Sequence, residues 1–246
     1  MQEERAPSCD LFLVRHAERN DEAPDPAVSH IQRPGWDPPL TRRGHAQAAD
    51  VARRLVAEHE RQPFSCVFVS PTFRTVQTAS HIGVALNIPL VCIPALSECA
   101  AAINNAGLST FDPMQGMSKG AAASNPGAGK QQQRQKSSAR FAAPAEVLAH
   151  SAAGARVEVL ADSTLGDDYS LSFLEGVHAL AAAHVGGRCL CVSHREGIRD
   201  IAQELCGIPK RLKTPYCCIA KFRYTQQNAP VDGGGAGVWE LVELPS

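Results

Sequence analysis

Asp10-Leu11-Phe12-Leu13-Val14-Arg15-His16-Ala17-Glu18-Arg19-Asn20 is the stretch on which the reading of the fold turns. Four consecutive apolar residues, Leu11 to Val14, predict a strand buried on both faces, and they run straight into a dense polar cluster. In an open α/β sheet, ligands sit beyond the carboxyl ends of the strands, so Arg15 and His16 become site candidates by position alone. Taken by themselves, the same two residues also describe a charged strand end meeting water. The rest of the chain has to discriminate.

Outward from that strand, the pattern alternates between short apolar runs and helical spacing. Pro24, Pro26, Pro34, Pro38 and Pro39 forbid a long helix over 21–40 and predict a loop above the first strand, with Trp36 covering the site or anchoring the loop. Thr41 offers a helix cap, and Ala48, Val51, Ala52, Leu55 and Val56 repeat on one helical face. Cys66 to Val69 form a second apolar strand. After Ser70-Pro71 comes a helix with Val76, Ala79, Ile82 and Leu86 as its buried stripe. Leu90 to Ile93 make the next strand, with Glu98 shortly beyond it.

From Ala106 to about Arg140 the composition changes. Gly, Ala, Ser and Gln dominate, and Lys119, Lys130, Arg134, Lys136 and Arg140 face the single acid Asp112, which predicts a flexible insertion. A short helix near Ala145 to His150 and an extended stretch from Arg156 to Leu160 follow. Leu171, Leu174, Val177 and Ala181 mark another helix, with Asp167 and Asp168 before or within its first turn. Cys189 to Val192 form a further buried strand that ends in Ser193-His194-Arg195-Glu196. Ile198, Ile201, Ala202 and Leu205 carry the helix after it, stopped by Gly207. Tyr216 to Phe222 and Val238 to Leu244 close the chain as strands. The turn region at Gly233 to Gly235 is followed by no Gly-Lys-Ser or Gly-Lys-Thr helix, so no nucleotide loop is indicated.

Length and charge narrow the function classes. The chain has 246 residues, room for a sizeable core, and its 24 Lys plus Arg against 25 Asp plus Glu give a formal net charge of -1. No global basic field recommends a nucleic-acid or membrane partner. No apolar run approaches membrane-spanning length, and Met1-Gln2-Glu3-Glu4-Arg5 lacks the order of a secretory signal, so the expected location is cytoplasmic. The nine Cys read as small buried hydrophobes with free thiols. Cys189 and Cys191 share a strand face, but no second suitably spaced pair completes a zinc site, and no metal is assigned.

The strand ends therefore carry Arg15 and His16, Arg74, Glu98, and His194. If the strands are mostly parallel, two cations, two imidazoles and one acid share one rim. Guanidinium forks match phosphate oxygens, and a histidine can donate to those oxygens or attack phosphorus. A carboxyl group can protonate a departing alkoxide. Arg74 near a helix amino terminus is electrostatically odd, and either an anionic ligand or a surface salt bridge would offset the cost.

These residues resemble the histidine phosphatase, or phosphoglycerate mutase-like, superfamily, whose hallmark is Arg-His-Gly after the first strand. Here it reads Arg15-His16-Ala17. The likeness continues through Pro39-Leu40-Thr41-Arg42-Arg43-Gly44, Ser70-Pro71 with Arg74 and Gln77-Thr78-Ala79, then Glu98, and Val192-Ser193-His194. The spelling Arg15-His16-Ala17-Glu18-Arg19 and the ending Gly237-Val238-Trp239-Glu240-Leu241-Val242 are most similar to the suppressor-of-T-cell-receptor-signalling and ecdysteroid phosphate phosphatase branch. The resemblance implies one 1–246 domain of α/β class, three layers around a mostly parallel sheet, with the insertion at about 106–140.

It also implies a metal-independent phosphomonoester hydrolase without cofactor. His16 would be the nucleophile and Glu98 the proton donor. Arg15, Arg19, Arg74 and His194 would hold the phosphate. Glu18, Trp36 and Arg195 stand as pocket-mouth candidates. The substrate would be a small-molecule phosphomonoester or a phosphoprotein, and a homodimer stays open. Phosphoglycerate mutase-type transfer and an idle binding module are the alternatives. Two departures matter. Ala17 replaces the family's Gly and would be strained by roughly 1 kcal/mol if that position takes a positive φ. Arg195 would either charge the pocket mouth or fold toward Glu196 or Asp200.

Overall fold

Eight strands hydrogen-bond in the order β4-β5-β3-β2-β6-β1-β7-β8. They are β1 (Ser8–Arg15), β2 (Val67–Val69), β3 (Leu90–Cys92), β4 (Phe141–Ala142), β5 (Glu158–Ala161), β6 (Arg188–Ser193), β7 (Ile219–Gln226) and β8 (Gly237–Glu243). The computed structural model describes residues 6–28, 37–98, 141–142, 158–161, 172–209, 211–227 and 237–246. The pairs β1–β6, β6–β2, β2–β3 and β3–β5 are parallel, while β4, β7 and β8 join through antiparallel pairs. The architecture is α/β with a mostly parallel sheet, as read from the sequence.

Burial on both faces follows from alternation along the central strands. Phe12, Val14, Val67, Val69, Leu190 and Val192 pack on one side with α1 (Arg42–Arg61) and α2 (Phe73–Leu86). Leu11, Leu13, Phe68, Cys189 and Cys191 pack on the other with α3 (Phe173–Ala183) and α4 (Arg195–Asp200). Three layers result. Each fully buried aliphatic side chain in these strands contributes about 1.5–3 kcal/mol of transfer free energy.

The helix boundaries have local causes. Thr41 caps α1 by accepting from the Gly44 amide at 2.8 Å, and the helix stops at Arg61, just ahead of Pro63. At α3 the cap is Ser172, whose hydroxyl faces the Glu175 amide while the Glu175 carboxylate accepts from the Ser172 amide. That capping box starts the helix; Asp167 and Asp168 lie outside the described residues. α4 runs on into a π-helical turn over Ile201–Leu205, and Gly207 leaves it at a φ of 66°.

Several strand boundaries differ from the sequence reading. β2 and β3 are each three residues long, and β7 begins at Ile219, not Tyr216. Cys217 takes a left-handed φ of 56°, which breaks the strand and turns Tyr216 onto the rim. The insertion at 106–140, the Ala145 to His150 helix, Trp36 and Gly233 to Gly235 lie outside the described residues. Among the described residues, no helix is long and apolar enough to cross a membrane.

The strand order fixes the rim. β6 lies between β1 and β2, so the carboxyl ends of three parallel strands, carrying His16, His194 and Ser70, adjoin. The loop after β1 is pressed onto α1, and a β-carbon added to Gly44 would stand 2.3 Å from the Glu18 carbonyl oxygen. Backbone cannot yield there as a flexible side chain could. Gly44→Ala should therefore cost about 2 kcal/mol or more in urea melts. An unchanged midpoint would show that the loop after His16 moves freely.

Candidate active site

His16 follows the last residue of β1 and is 3% exposed. Its Nδ1 lies 2.8 Å from the Ala17 carbonyl oxygen, which can only accept, so Nδ1 carries the proton and Nε2 keeps its lone pair. Burial pulls the His16 pKa well below 6.5, and His194, Arg74 and Arg15 add to the effect against the Ala17 bond. The ring is neutral at neutral pH.

His194 follows β6, is 1% exposed, and sits edge-on to His16 with ring centroids 5.4 Å apart. Its Nδ1 lies 3.2 Å from Glu98 Oε1 and its Nε2 lies 2.9 Å from Ser70 Oγ. An ionised carboxylate only accepts, so Nδ1–H donates to Glu98, and the Ser70 hydroxyl donates to Nε2. Burial lowers the His194 pKa and Arg74 adds to that, with Glu98 working in the opposite sense.

Arg74 is fully buried in the first turn of α2. Its guanidinium meets Glu98 Oε1 at 2.6 Å and Asp37 at 3.5 Å, and Asp37 also accepts from the Phe73 amide at 2.7 Å. The oddly placed cation is thus answered by two carboxylates, in a buried cluster and not as a surface salt bridge. Burial favours the neutral form of Glu98, but the hydrogen bonds from His194 and Arg74 and the charge of Arg74 outweigh it and hold the carboxyl well below the usual carboxylate range.

Arg15 is 7% exposed and donates to the Thr214 carbonyl at 2.8 Å. Its guanidinium carbon stands 3.8 Å from the centre of the Tyr216 ring. Arg15 Nε is buried and has no hydrogen-bond partner among the described residues. Such a donor is expensive to leave unmade, and an oxyanion would answer it.

The structure brings Arg15, His16, Arg74, Glu98 and His194 together, but it treats the other candidates differently. Arg19 forks onto Asp21 at 2.7 and 2.6 Å, with the Glu98 charge also acting on it. Glu18 is tied to the start of α1: its carboxylate accepts from Thr41 Oγ1 at 2.9 Å and meets Arg43 at 3.6 Å. Arg195 takes the folded-away course, 2.7 Å from Glu196. Its charge nevertheless still reaches Arg15. Ala17 does not take a positive φ, so the substituted methyl costs no backbone strain; it is buried in the core beside α1 and α2.

Three residues at the site went unassigned from sequence. Asp37 stood among prolines with no periodicity to betray a partner. Ser70 enters the sequence reading only as part of the Ser70-Pro71 motif ahead of the helix, with no role of its own. Tyr216 was hidden in an apolar run, yet its hydroxyl bonds Glu22 and burial, with that bond, pushes its pKa up to about 12.

His16, Glu98 and His194 offer ligand atoms within 4.8 Å of one another, the donor types of a metal site. A cation there would face the charges of Arg74 and Arg15, and the Glu98 carboxylate that would ligate it is already paired with Arg74.

Fold and rim together define an α/β protein with two buried guanidiniums and two carboxylates around a neutral, tautomer-fixed histidine. A family model described as the histidine phosphatase superfamily (branch 1) matches residues 11–165, more than half of the sequence. The chain belongs to that superfamily. No curated protein matches it. Among solved structures it is similar to a phosphoglycerate mutase from Bacillus anthracis str. Sterne, at 14% identity, 99% and 95% coverage of the two chains and a TM-score of 0.49. It is also similar to the protein histidine phosphatase SixA complexed with tungstate, at 17% identity, 94% coverage of each chain and a TM-score of 0.45. A mycobacterial glucosyl-3-phosphoglycerate phosphatase matches at 16% identity, 96% and 97% coverage and a TM-score of 0.47.

The two buried imidazoles make stability pH-dependent in a defined direction. Both folded pKa values lie below 6.5, so as pH falls through 6.5 the unfolded chain binds protons that the folded chain does not, and stability falls. Replacing His16 by Gln should reduce the acid-side slope of stability by up to about 1.4 kcal/mol per pH unit. Urea melts on the acid side of neutrality check this, and identical slopes for the two proteins would contradict the neutral, buried His16.

Proposed function

We propose that the protein hydrolyses phosphomonoesters through a phosphohistidine on His16. The observation that carries this reading is the state of His16: buried, neutral, with Nδ1–H fixed on the Ala17 carbonyl and the lone pair left on Nε2, between two buried guanidiniums. That is the state an attacking imidazole needs.

In the first step Nε2 attacks phosphorus in line and the bond from phosphorus to the ester oxygen breaks. The oxygen leaves with that electron pair and takes a proton from Glu98, which gains that proton from solvent once the phosphate has displaced its carboxylate from Arg74 and His194. In the second step water attacks phosphorus, gives its proton to Glu98, and the nitrogen–phosphorus pair returns to Nε2. Arg15, Arg74 and His194 stabilise the equatorial oxygens as charge redistributes. Arg19 joins them by exchanging Asp21 for a phosphate oxygen.

Glu98 Oε1 occupies an anion position between Arg74 and His194 at rest. A phosphate that takes those donors releases the carboxyl, and its own negative charge then raises the carboxyl's proton affinity. No step is routed through a metal or cofactor. The spelling around Arg15 to Arg19 supports the suppressor-of-T-cell-receptor-signalling and ecdysteroid phosphate phosphatase branch. A small-molecule ester or a phosphoprotein would then be the substrate. The described cysteines are free thiols, which supports a cytoplasmic location.

Rapid-quench labelling from a phosphorus-labelled aryl phosphate tests the covalent step. The label should be acid-labile, reside on His16, and vanish in His16→Ala. Label on His194 would overturn the assignment. Glu98→Gln should slow hydrolysis of an alkyl phosphate by roughly 100-fold, and phosphoenzyme formation from an activated aryl phosphate much less, because a good leaving group needs no proton. The same variant should bind tungstate more tightly than the parent, since the resident carboxylate no longer competes. Equal losses for both esters would remove Glu98 from the proton-transfer role.

A further inference from the structure

We infer that Thr78 and Gln47 are positioning residues that set the tautomer of His16 through the two peptide groups around Ala17. The inference rests on the proposed nucleophilic role of His16.

Three successive amides after β1 are held by three different elements. The His16 amide donates to the Ser193 carbonyl on β6 at 3.0 Å. The Ala17 amide donates to Thr78 Oγ1 on α2 at 3.1 Å. The Glu18 amide donates to Gln47 Oε1 on α1 at 2.9 Å. The first is a strand-like backbone bond, whereas the other two depend on side chains that a substitution can remove.

Thr78 is fully buried and has both bonding modes in use: its hydroxyl proton goes to the Arg74 carbonyl at 2.8 Å and its lone pair takes the Ala17 N–H. A threonine bonding back to the carbonyl four residues earlier is ordinary in a helix. Here that bond aims the oxygen at a neighbouring loop. Thr78 thereby fixes the peptide between His16 and Ala17. Gln47 fixes the next peptide through its N–H, and that peptide's other end is the Ala17 carbonyl that accepts from His16 Nδ1. An amide plane held at its N–H has its carbonyl direction set as well. The Glu18 carbonyl in turn accepts from the Thr41 amide at 3.1 Å, which prevents the loop from rotating as a body.

The chemical consequence is specific. If the Ala17 carbonyl turns away, His16 loses the acceptor that holds the proton on Nδ1. The proton can then sit on Nε2, where the nucleophilic lone pair is required. Packing at the site need not change for this to happen.

The test compares Thr78→Val and Gln47→Leu with the parent and with Thr78→Ser, which keeps the hydroxyl. Nitrogen chemical shifts of the His16 ring report the tautomer. Single-turnover phosphorylation from an activated aryl phosphate reports the nucleophile, and tungstate affinity reports the anion pocket. Both variants should shift His16 toward the Nε2–H form and slow phosphorylation by about 10- to 100-fold with tungstate affinity unchanged, by analogy with the loss of groups that orient a functional histidine. Thr78→Ser should restore both signals. An unaltered tautomer in Thr78→Val and Gln47→Leu would overturn the inference, even if phosphorylation slowed. If the parent itself forms no phosphoenzyme, the proposed function fails, and the ring shifts still decide whether Thr78 and Gln47 set the tautomer.

Discussion

A guanidinium with no exposed surface, placed in the first turn of a helix, constrains much of the rim. Arg74 pays desolvation and also faces the positive end of α2, so the fold has to surround it with anions. Asp37 does this twice over, accepting from the Phe73 amide at the helix start and meeting the guanidinium itself. The loop carrying Asp37 is thereby drawn down against α2. Glu98 supplies the second carboxylate from beyond β3, which ties a third element to the same charge. Deleting the cation would leave Asp37 buried without the charge that balances it, a loss on the order of 3 kcal/mol. The requirement for charge balance thus explains why an Asp sits among prolines where no hydrophobic pattern asked for one.

Much of this was legible from sequence because the signals were one-dimensional. A doubly apolar run at Leu11 to Val14 and another at Cys189 to Val192 declare buried parallel strands, and the polar residues that follow them fall on the rim by geometry. Helical stripes on α1 and α2 were equally plain. Strand order was not, since β6 enters between β1 and β2 from far along the chain, and that insertion is what brings His194 to His16. Tyr216 was misplaced because Tyr-Cys-Cys-Ile reads as a strand, and nothing local announces that Cys217 adopts a left-handed backbone. Glu18 became a pocket-mouth candidate by its proximity to His16 in sequence. In space the next peptide turns, and its carboxylate serves the Thr41 hydroxyl and Arg43.

Ala17 illustrates how a departure from a family pattern can be neutral. The concern was a positive φ, where a β-carbon is strained; the backbone here is not in that region, so the methyl simply adds to the core under α1 and α2. The glycine this loop does need lies elsewhere, at Gly44, where a β-carbon would collide with the Glu18 carbonyl. Close approach of α1 to the loop places Gln47, one turn further along, opposite the Glu18 amide. Loop geometry and helix packing are therefore one constraint seen from two sides.

The electrostatics of the resting pocket follow from the same arrangement. Both imidazoles are kept neutral by burial, so the formal charges at the centre are those of Arg15, Arg74, Asp37 and Glu98, which cancel. Asp37 is fully buried and bonded to backbone, whereas the Glu98 side chain keeps 30% of its surface exposed. Glu98 is therefore the anion that can leave. Its departure converts a neutral pocket into a cationic one that retains the donors of Arg74 and His194, together with the unmet Nε of Arg15. A carboxylate satisfies that charge with one formal negative charge, but a phosphoryl dianion brings two and three acceptor oxygens. In the proposed mechanism the exchange would favour the better anion, and it would place the expelled carboxyl beside a negative charge that raises its affinity for a proton.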